Sequence, residues 1–490
     1  MTQDGPQFID RAALEDRLEP LLLRRLGPTA RQFRLRSFVP RITSNRLDLA
    51  TKIAFLDSLK GPVATFPRQL YDRHIAAFSL GEMAEPGDPS KQGPEAFRAA
   101  FVRLHDSMAG KGFDPNLSLI PLARDGTILN GAHRVACALH LGIPLIGVET
   151  GLDPFLYDGN YFHGRGMLGE DLDAMALAHV AKAPDTALAL FWPAAPKQLD
   201  KAEALLGQAV YLRQVRLSMR GAHNLLSEVY TGEPWIGPAE KGFPGIATKL
   251  ERAFSSERPL RVMVLHMPGS IDRVALEAQV RGLWRLAEHS VHITDTWDEA
   301  IRISRLLFNR QSLHFLDHAA PYRFPELARD VEKFRARVTQ EGGDPTQTVL
   351  GPEMVMGAYG LRQPHTVDVL SGDPVPLSGP HDRRASPQTA PALGDILSDP
   401  ELHFHFWNQR FLSLPVVARA KAQSDMAQDK ADMAQITPLL HPLQQSPWLR
   451  RIARLRRIRA RLKHAIIGLL DLLGVKDIVR RLYRTIRPRA

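Results

Sequence analysis

Apolar residues recur at two spacings along this chain, and the alternation between them predicts a mixed α/β protein. A short apolar run at 119–122 has the look of a strand. A polar turn follows, then the apolar helical run Val-Ala-Cys-Ala-Leu-His-Leu141. Gly142 ends that run, and a second strand-like stretch covers 143–148. The order is therefore strand, turn, helix, strand. Upstream, Arg46-Leu-Asp-Leu-Ala-Thr-Lys52 opens a helical pattern with Ile53, Phe55 and Leu56 on its apolar side. Residues 71–78 read as another helix. Phe97, Phe101, Leu104 and Met108 line one face of a further helix that stops at Gly110-Lys-Gly112. The aromatic segment 153–166 reads as core or as cover for a sheet edge.

Residues 187–192 read as a strand, and a long helical pattern runs over 198–228. The middle of the chain repeats the alternation. Strands are expected at 260–265, 291–293 and 311–317, with helices at 275–287, after Thr296-Trp-Asp-Glu299, and at 326–339. Five prolines between Gly372 and Gly394 mark a loop. His403-Phe-His-Phe-Trp407 alternates like a strand and places two His on one face, a spacing that a metal pair also uses. Residues 416–434 read as mostly helical. These patterns divide the chain into a first domain over 30–197, a second α/β domain over 198–435, and a tail over 446–490.

At 490 residues, 44% hydrophobic and 24% charged, the chain can build more than one core. Cys137 is the only cysteine, so no intrachain disulfide forms. No signal-like start and no spanning-length apolar run are seen, which points to a cytoplasmic address. Charge changes the picture further. The tail holds fourteen Lys and Arg against Asp471 and Asp477, a net +12, while the whole chain carries +10. The body is thus slightly acidic, and the high pI gives it no nucleic-acid signature. In the tail, Trp448, Ile452, Leu455, Leu462, Ile466, Leu469 and Leu473 recur at helical steps among Arg and Lys. A basic amphipathic helix of this kind fits an anionic membrane surface on its inner face. Each basic residue near such a surface contributes about 1 kcal/mol. A partner helix and nucleic acid are the other readings, and the segment 478–483 repeats the basic and apolar mixture.

The densest chemistry is Asp125-Gly-Thr-Ile-Leu-Asn-Gly-Ala-His-Arg134. His133 and Arg134 stand where turn becomes helix, and a helix start offers unpaired N–H groups and the positive end of its dipole. Arg adds a fork of donors and His a group that carries a proton near neutral pH. Asn130, Gly131, His133 and Arg134 are the candidate centre, with Arg46, Lys91 and Lys111 as further phosphate contacts. Glu85 and Asp106 are the upstream carboxylates that could supply a base.

Asn130-Gly-Ala-His-Arg134 after an Asp-Gly turn resembles the signature of the ParB/sulfiredoxin fold. Ala132 stands where sulfiredoxins carry their Cys, which argues against that chemistry. The free serine kinase version, Asp-Gly-His-His-Arg, is nearest, with Asn130 in place of its Asp. The resemblance implies a nucleotide, ATP or another, with Mg²⁺, and phosphoryl transfer to a small hydroxyl compound or a glycan. A non-catalytic nucleotide-binding scaffold at the membrane is the alternative, and a DNA-associated ParB-like role comes third. Residues 349–370 more weakly resemble a degenerate nucleotidyltransferase. Gly351-Pro352 replaces its Gly-Ser turn, and Thr366-Val-Asp368 keeps one of two carboxylates, leaving Asp368 as the metal candidate. Proteins that pair two such domains are associated with cell-surface polysaccharide synthesis, which is where the resemblance suggests a glycan.

Overall fold

The computed structural model describes residues 7–27, 31–61, 63–85, 88–197, 199–284, 286–372, 382–384, 391–440 and 447–473. Most of the proline-containing insert and the whole segment 478–483 lie outside them. The described residues form a mixed α/β architecture with three main sheets and a two-stranded ribbon.

The first sheet has strands β1 (Phe8–Asp10), β2 (Gln32–Phe38), β5 (Ile120–Leu122) and β6 (Leu145–Glu149), in the order β1-β2-β6-β5. The ribbon pairs β3 (Ala84–Glu85) with β4 (Asp88–Gln92). Strands β5 and β6 are parallel neighbours. Parallel neighbours need a crossover, and the helix Ala132–Leu141 provides it. The expected strand–turn–helix–strand order is therefore present. Gly142 closes the helix in the left-handed conformation. β1 joins residues upstream of 30 to this sheet.

The helix Leu47–Asp57 packs among Phe66–Phe78, Ala132–Leu141 and Gly169–Lys182. Nine of its eleven residues are buried, including Asp48 and Lys52. A helix enclosed on all sides cannot leave its charged residues in water, so they must pair inside the protein.

The second sheet is antiparallel, in the order β10 (Val291–Ile293), β7 (Thr186–Phe191), β9 (Leu260–His266), β8 (Tyr211–Val215). Leu188 and Leu190 of β7 face the largest core, while Ala187, Ala189 and Phe191 face another. The alternation of side chains along a strand sends both sets into apolar surroundings, which explains the unbroken apolar run. β7 precedes residue 197 and β9 follows it, so one sheet spans that position.

Two elements depart from expectation. The long helical pattern over 198–228 is interrupted. Helix Asp200–Leu206 ends at Gly207, whose φ of +81° suits glycine, then comes β8, then helix Met219–Val229. Residues 311–317 are not a strand but part of helix Arg310–His318, because the Asn309 side chain caps it by accepting from the Ser312 N–H at 3.0 Å.

The third sheet is mixed, in the order β13 (Asp382–Arg384), β12 (Val367–Ser371), β11 (Thr348–Leu350), β15 (Gln409–Leu412), β14 (His403–Phe406). Its apolar residues join the largest core, which reaches from Leu47 to Ile436 and joins the second and third sheets, while the apolar residues of the first sheet lie in separate clusters.

The described part of the tail, 447–473, holds the helix Pro447–Leu472, which lies against the first part of the chain. Among the described residues no helix is long and apolar enough to cross a membrane.

Candidate functional site

Gly131 starts the Ala132–Leu141 helix at φ +82°. A Cβ there would meet Ile120 Cδ1 at 2.8 Å, so both conformation and space call for glycine. No side chain caps the helix. Its first turn therefore presents N–H groups beside His133 and Arg134, a natural seat for an anion. Asn130 Oδ1 accepts from the Gly131 N–H at 2.6 Å and holds the turn shut.

His133 is half-buried between Phe101 and Tyr71, with ring centroids at 4.7 and 6.0 Å. Its Nε2 lies 3.0 Å from the Tyr71 hydroxyl. Burial, then the nearby Lys52, His74 and Lys91, hold the imidazole well below its ordinary range. The ring is neutral at neutral pH. Burial raises the Tyr71 pKa, so that hydroxyl keeps its proton and can donate to His133.

Behind Tyr71 lies a chain of buried polar groups. His74 Nδ1 donates to the Tyr71 carbonyl at 2.5 Å, which leaves Nε2 to accept from Lys52 Nζ at 3.0 Å. Lys52 also donates to Asp48 Oδ2 at 2.7 Å. Arg46 grips the same carboxylate with two N–H groups, each at 2.8 Å. Burial opposes ionisation of Asp48, but Arg46 and Lys52 outweigh it and hold the carboxyl far below its usual range. Two cations thus share one anion. Arg46 is 2% exposed, its guanidinium lies 4.6 Å from the centre of the Tyr157 ring, and its Nη1 has no hydrogen-bond partner among the described residues. An orphaned buried donor of this kind costs roughly 1–3 kcal/mol unless something accepts from it.

The sequence reading missed Glu19. It precedes the short helix Pro20–Arg25 and accepts a hydrogen bond from Asn130 Nδ2. Burial and the charge of Glu85 raise its pKa, against the pull of Arg134. Arg134 in turn is depressed by burial and supported by Glu85 and Glu19. Lys91 pairs with Glu85 at 2.7 Å. Asn130, Gly131, His133, Arg134, Lys91 and Glu85 therefore gather around one centre, whereas Arg46 connects to it through Asp48, Lys52, His74 and Tyr71.

Lys111 does not join them. It ends the helix Gly93–Lys111 ten residues beyond Phe101, about 15 Å along the axis, and is exposed. Asp106 lies toward His105 and Cys137. Burial pushes the Cys137 thiol up to about 12, which suits a core residue and not a nucleophile.

Asp368 occupies a different setting. Its oxygens accept from the Glu353 and Met354 N–H groups at 3.1 and 3.2 Å, capping the helix Pro352–Ala358. Burial pushes its pKa up to about 6. Glu353 is committed to Arg362, which also binds Asp432. His403 and His405 are buried with ring centroids 5.0 Å apart, and His403 donates to the Ile396 carbonyl. Among the described residues no group of three His, Cys, Asp or Glu is arranged to hold a metal ion.

No family model, curated protein or solved structure matches the chain.

Proposed function

We propose that the centre around His133 binds the phosphates of a nucleotide and passes a phosphoryl group to a small hydroxyl compound or a glycan. The observation that carries this reading is the surplus of buried positive charge. Arg46 and Lys52 share Asp48, and Arg46 keeps an N–H without a partner among the described residues. This buried cluster connects through His74 and Tyr71 to His133, in the first turn of the uncapped helix that also carries Arg134. A phosphate supplies the missing charge and acceptors together.

Arg134 and the first-turn N–H groups would meet the negative charge of the transferring group. His133, being neutral, would hold a phosphate or hydroxyl oxygen by a hydrogen bond. Glu19 would take the acceptor's proton as its oxygen bonds to phosphorus and the bond to the departing diphosphate breaks. Glu19 and Glu85 are the carboxylates that could face a Mg²⁺ carried on nucleotide phosphates, since that ion needs few protein ligands. ATP or a similar nucleotide would supply the phosphoryl group. The ParB/sulfiredoxin resemblance supports this reading through the order of β5, turn, helix and β6. The glycan rests on resemblance alone.

Asn130 favours a second reading, nucleotide binding without turnover, because an amide takes no proton. Calorimetry with a panel of nucleotides and Mg²⁺, followed by an assay for hydrolysis and transfer, separates the two. Binding with turnover is expected. Binding without turnover selects the scaffold, and absence of binding overturns both.

A further inference from the structure

The helix Pro447–Leu472 sits on the protein by its small and polar side. Ala453 is buried, and its carbonyl would lie 2.6 Å from any Cβ at Gly166. Arg461 Nε donates to the Leu80 carbonyl at 2.6 Å. Arg165 Nη2 lies 3.0 Å from His464 Nε2, and Arg456 Nη1 lies 3.4 Å from His163 Nδ1. Gly81 and Gly166 leave room for this seat, because side chains there would meet Arg461 and Ala453.

At about 100° per residue, Ala453, Arg457, Arg461 and His464 form one face. Trp448, Leu455, Leu462, Ile466 and Leu473 fall on roughly the opposite one. These five are 58–64% exposed, so the seat leaves them open, while Ile452 at the edge of the stripe is half-buried. Amphipathic helices of globular proteins ordinarily bury the apolar side against the body. Here the orientation is reversed, and the apolar side points away from the protein.

We infer that this outward stripe is a docking surface for an anionic lipid bilayer. Charge selects the occupant. Residues 447–473 hold eight Lys and Arg and one Asp. The exposed Arg451, Arg454, Arg459 and Lys463 flank the stripe, where their stems can lie on apolar surface while their heads reach lipid phosphates. A second copy of the same helix would oppose like charges along its length. The helix lies in the bilayer interface and does not span it. Its seat includes the C-terminal end of the helix Phe66–Phe78, where Arg165 donates to the Ala77 and Phe78 carbonyls. That helix also carries Tyr71 and His74, so the bilayer is placed beside the unit that holds the candidate site.

The test is flotation of the full-length protein with vesicles of phosphatidylglycerol and phosphatidylcholine, against phosphatidylcholine alone. Binding to the anionic vesicles alone is expected, weakening as salt rises. The triple variant Leu455→Glu, Leu462→Glu, Ile466→Glu changes exposed residues only, and its flotation should fall about tenfold or more. Nucleotide binding, measured separately, should be unchanged in it. The inference is overturned if the parent protein ignores anionic vesicles at low salt, or if the variant floats equally well. It is equally overturned if light scattering shows a parent dimer that the variant loses, or if the stripe serves duplex DNA and not vesicles.

Discussion

Asn130 donates to Glu19 across 111 positions of sequence. The contact brings a carboxyl group to the turn that leads into His133 and Arg134. Burial and Glu85 keep that carboxyl's pKa above the ordinary range, so it holds a proton more readily than a surface glutamate does.

Glu19→Gln should therefore abolish most transfer while nucleotide affinity stays within a few-fold of the parent. Loss of a general base costs about 10²- to 10⁴-fold. In the parent, transfer should fall as pH drops through a value above the 4.5 of a free glutamate, because the base must be ionised to act. A rate profile that shows no acid limb, or full activity in the variant, removes Glu19 from the mechanism.

Arg134→Ala and His133→Ala probe the phosphate contacts. Each removed charge-assisted or buried hydrogen bond should weaken nucleotide binding by about 10- to 100-fold for Arg134 and less for neutral His133. Circular dichroism should be unchanged, since both residues are only half-buried. Equal affinity in both variants would mean that the turn does not touch phosphate.

Asp48→Asn should destabilise the fold by about 3–5 kcal/mol, because it strands Arg46 and Lys52 in the interior. The sign with pH follows from the depressed carboxyl. Its contribution is present above the unfolded value near 3.8 and is lost only as pH falls toward the folded value, in strong acid. Phosphate or nucleotide should bind the variant more tightly if it still folds, since the surplus of positive charge grows. Urea denaturation with and without inorganic phosphate reads both effects.

His292 lies between Glu299, at 2.9 Å, and Glu277, at 3.5 Å. Burial opposes its charge, but the two hydrogen bonds outweigh it and push the pKa up to about 9. A raised imidazole stabilises fully below its unfolded value of 6.5, and the contribution fades as pH rises through 9. The total is about 3 kcal/mol. Urea midpoints should decline over that interval in the parent. His292→Gln should flatten the decline, and an unchanged slope would show that another group controls it.

Asp368→Asn should leave transfer unchanged and cost about 1 kcal/mol, since an amide oxygen still caps the helix. Normal stability with a large loss of activity would show that the carboxylate serves a metal.

The turn at His133 was legible because Gly131 and Gly142 punctuate it and the flanking apolar runs are unmistakable. Glu19 was not, because only the closing of β1 and β2 beside β6 brings the chain upstream of 30 to the turn. Lys52 shows a different limit. A lysine in a helical pattern is expected on the wet side, yet the helix Leu47–Asp57 has no wet side, and its charges face Arg46 and His74. Helix Arg310–His318 was misread because Leu313 and Phe315 alternate as in a strand, while the capping role of Asn309 outweighs that local pattern.

The strand Thr186–Phe191 carries a practical consequence. All six of its residues are buried, and its partners β9 and β10 arrive only after residue 259. A recombinant fragment that stops near 197 would expose a bare apolar ribbon with free peptide groups on both edges, a template for aggregation. Isolating by truncation the half that holds the candidate site thus invites insolubility for reasons unrelated to the proposed chemistry. Substitutions within the intact polypeptide are the sounder route to that half.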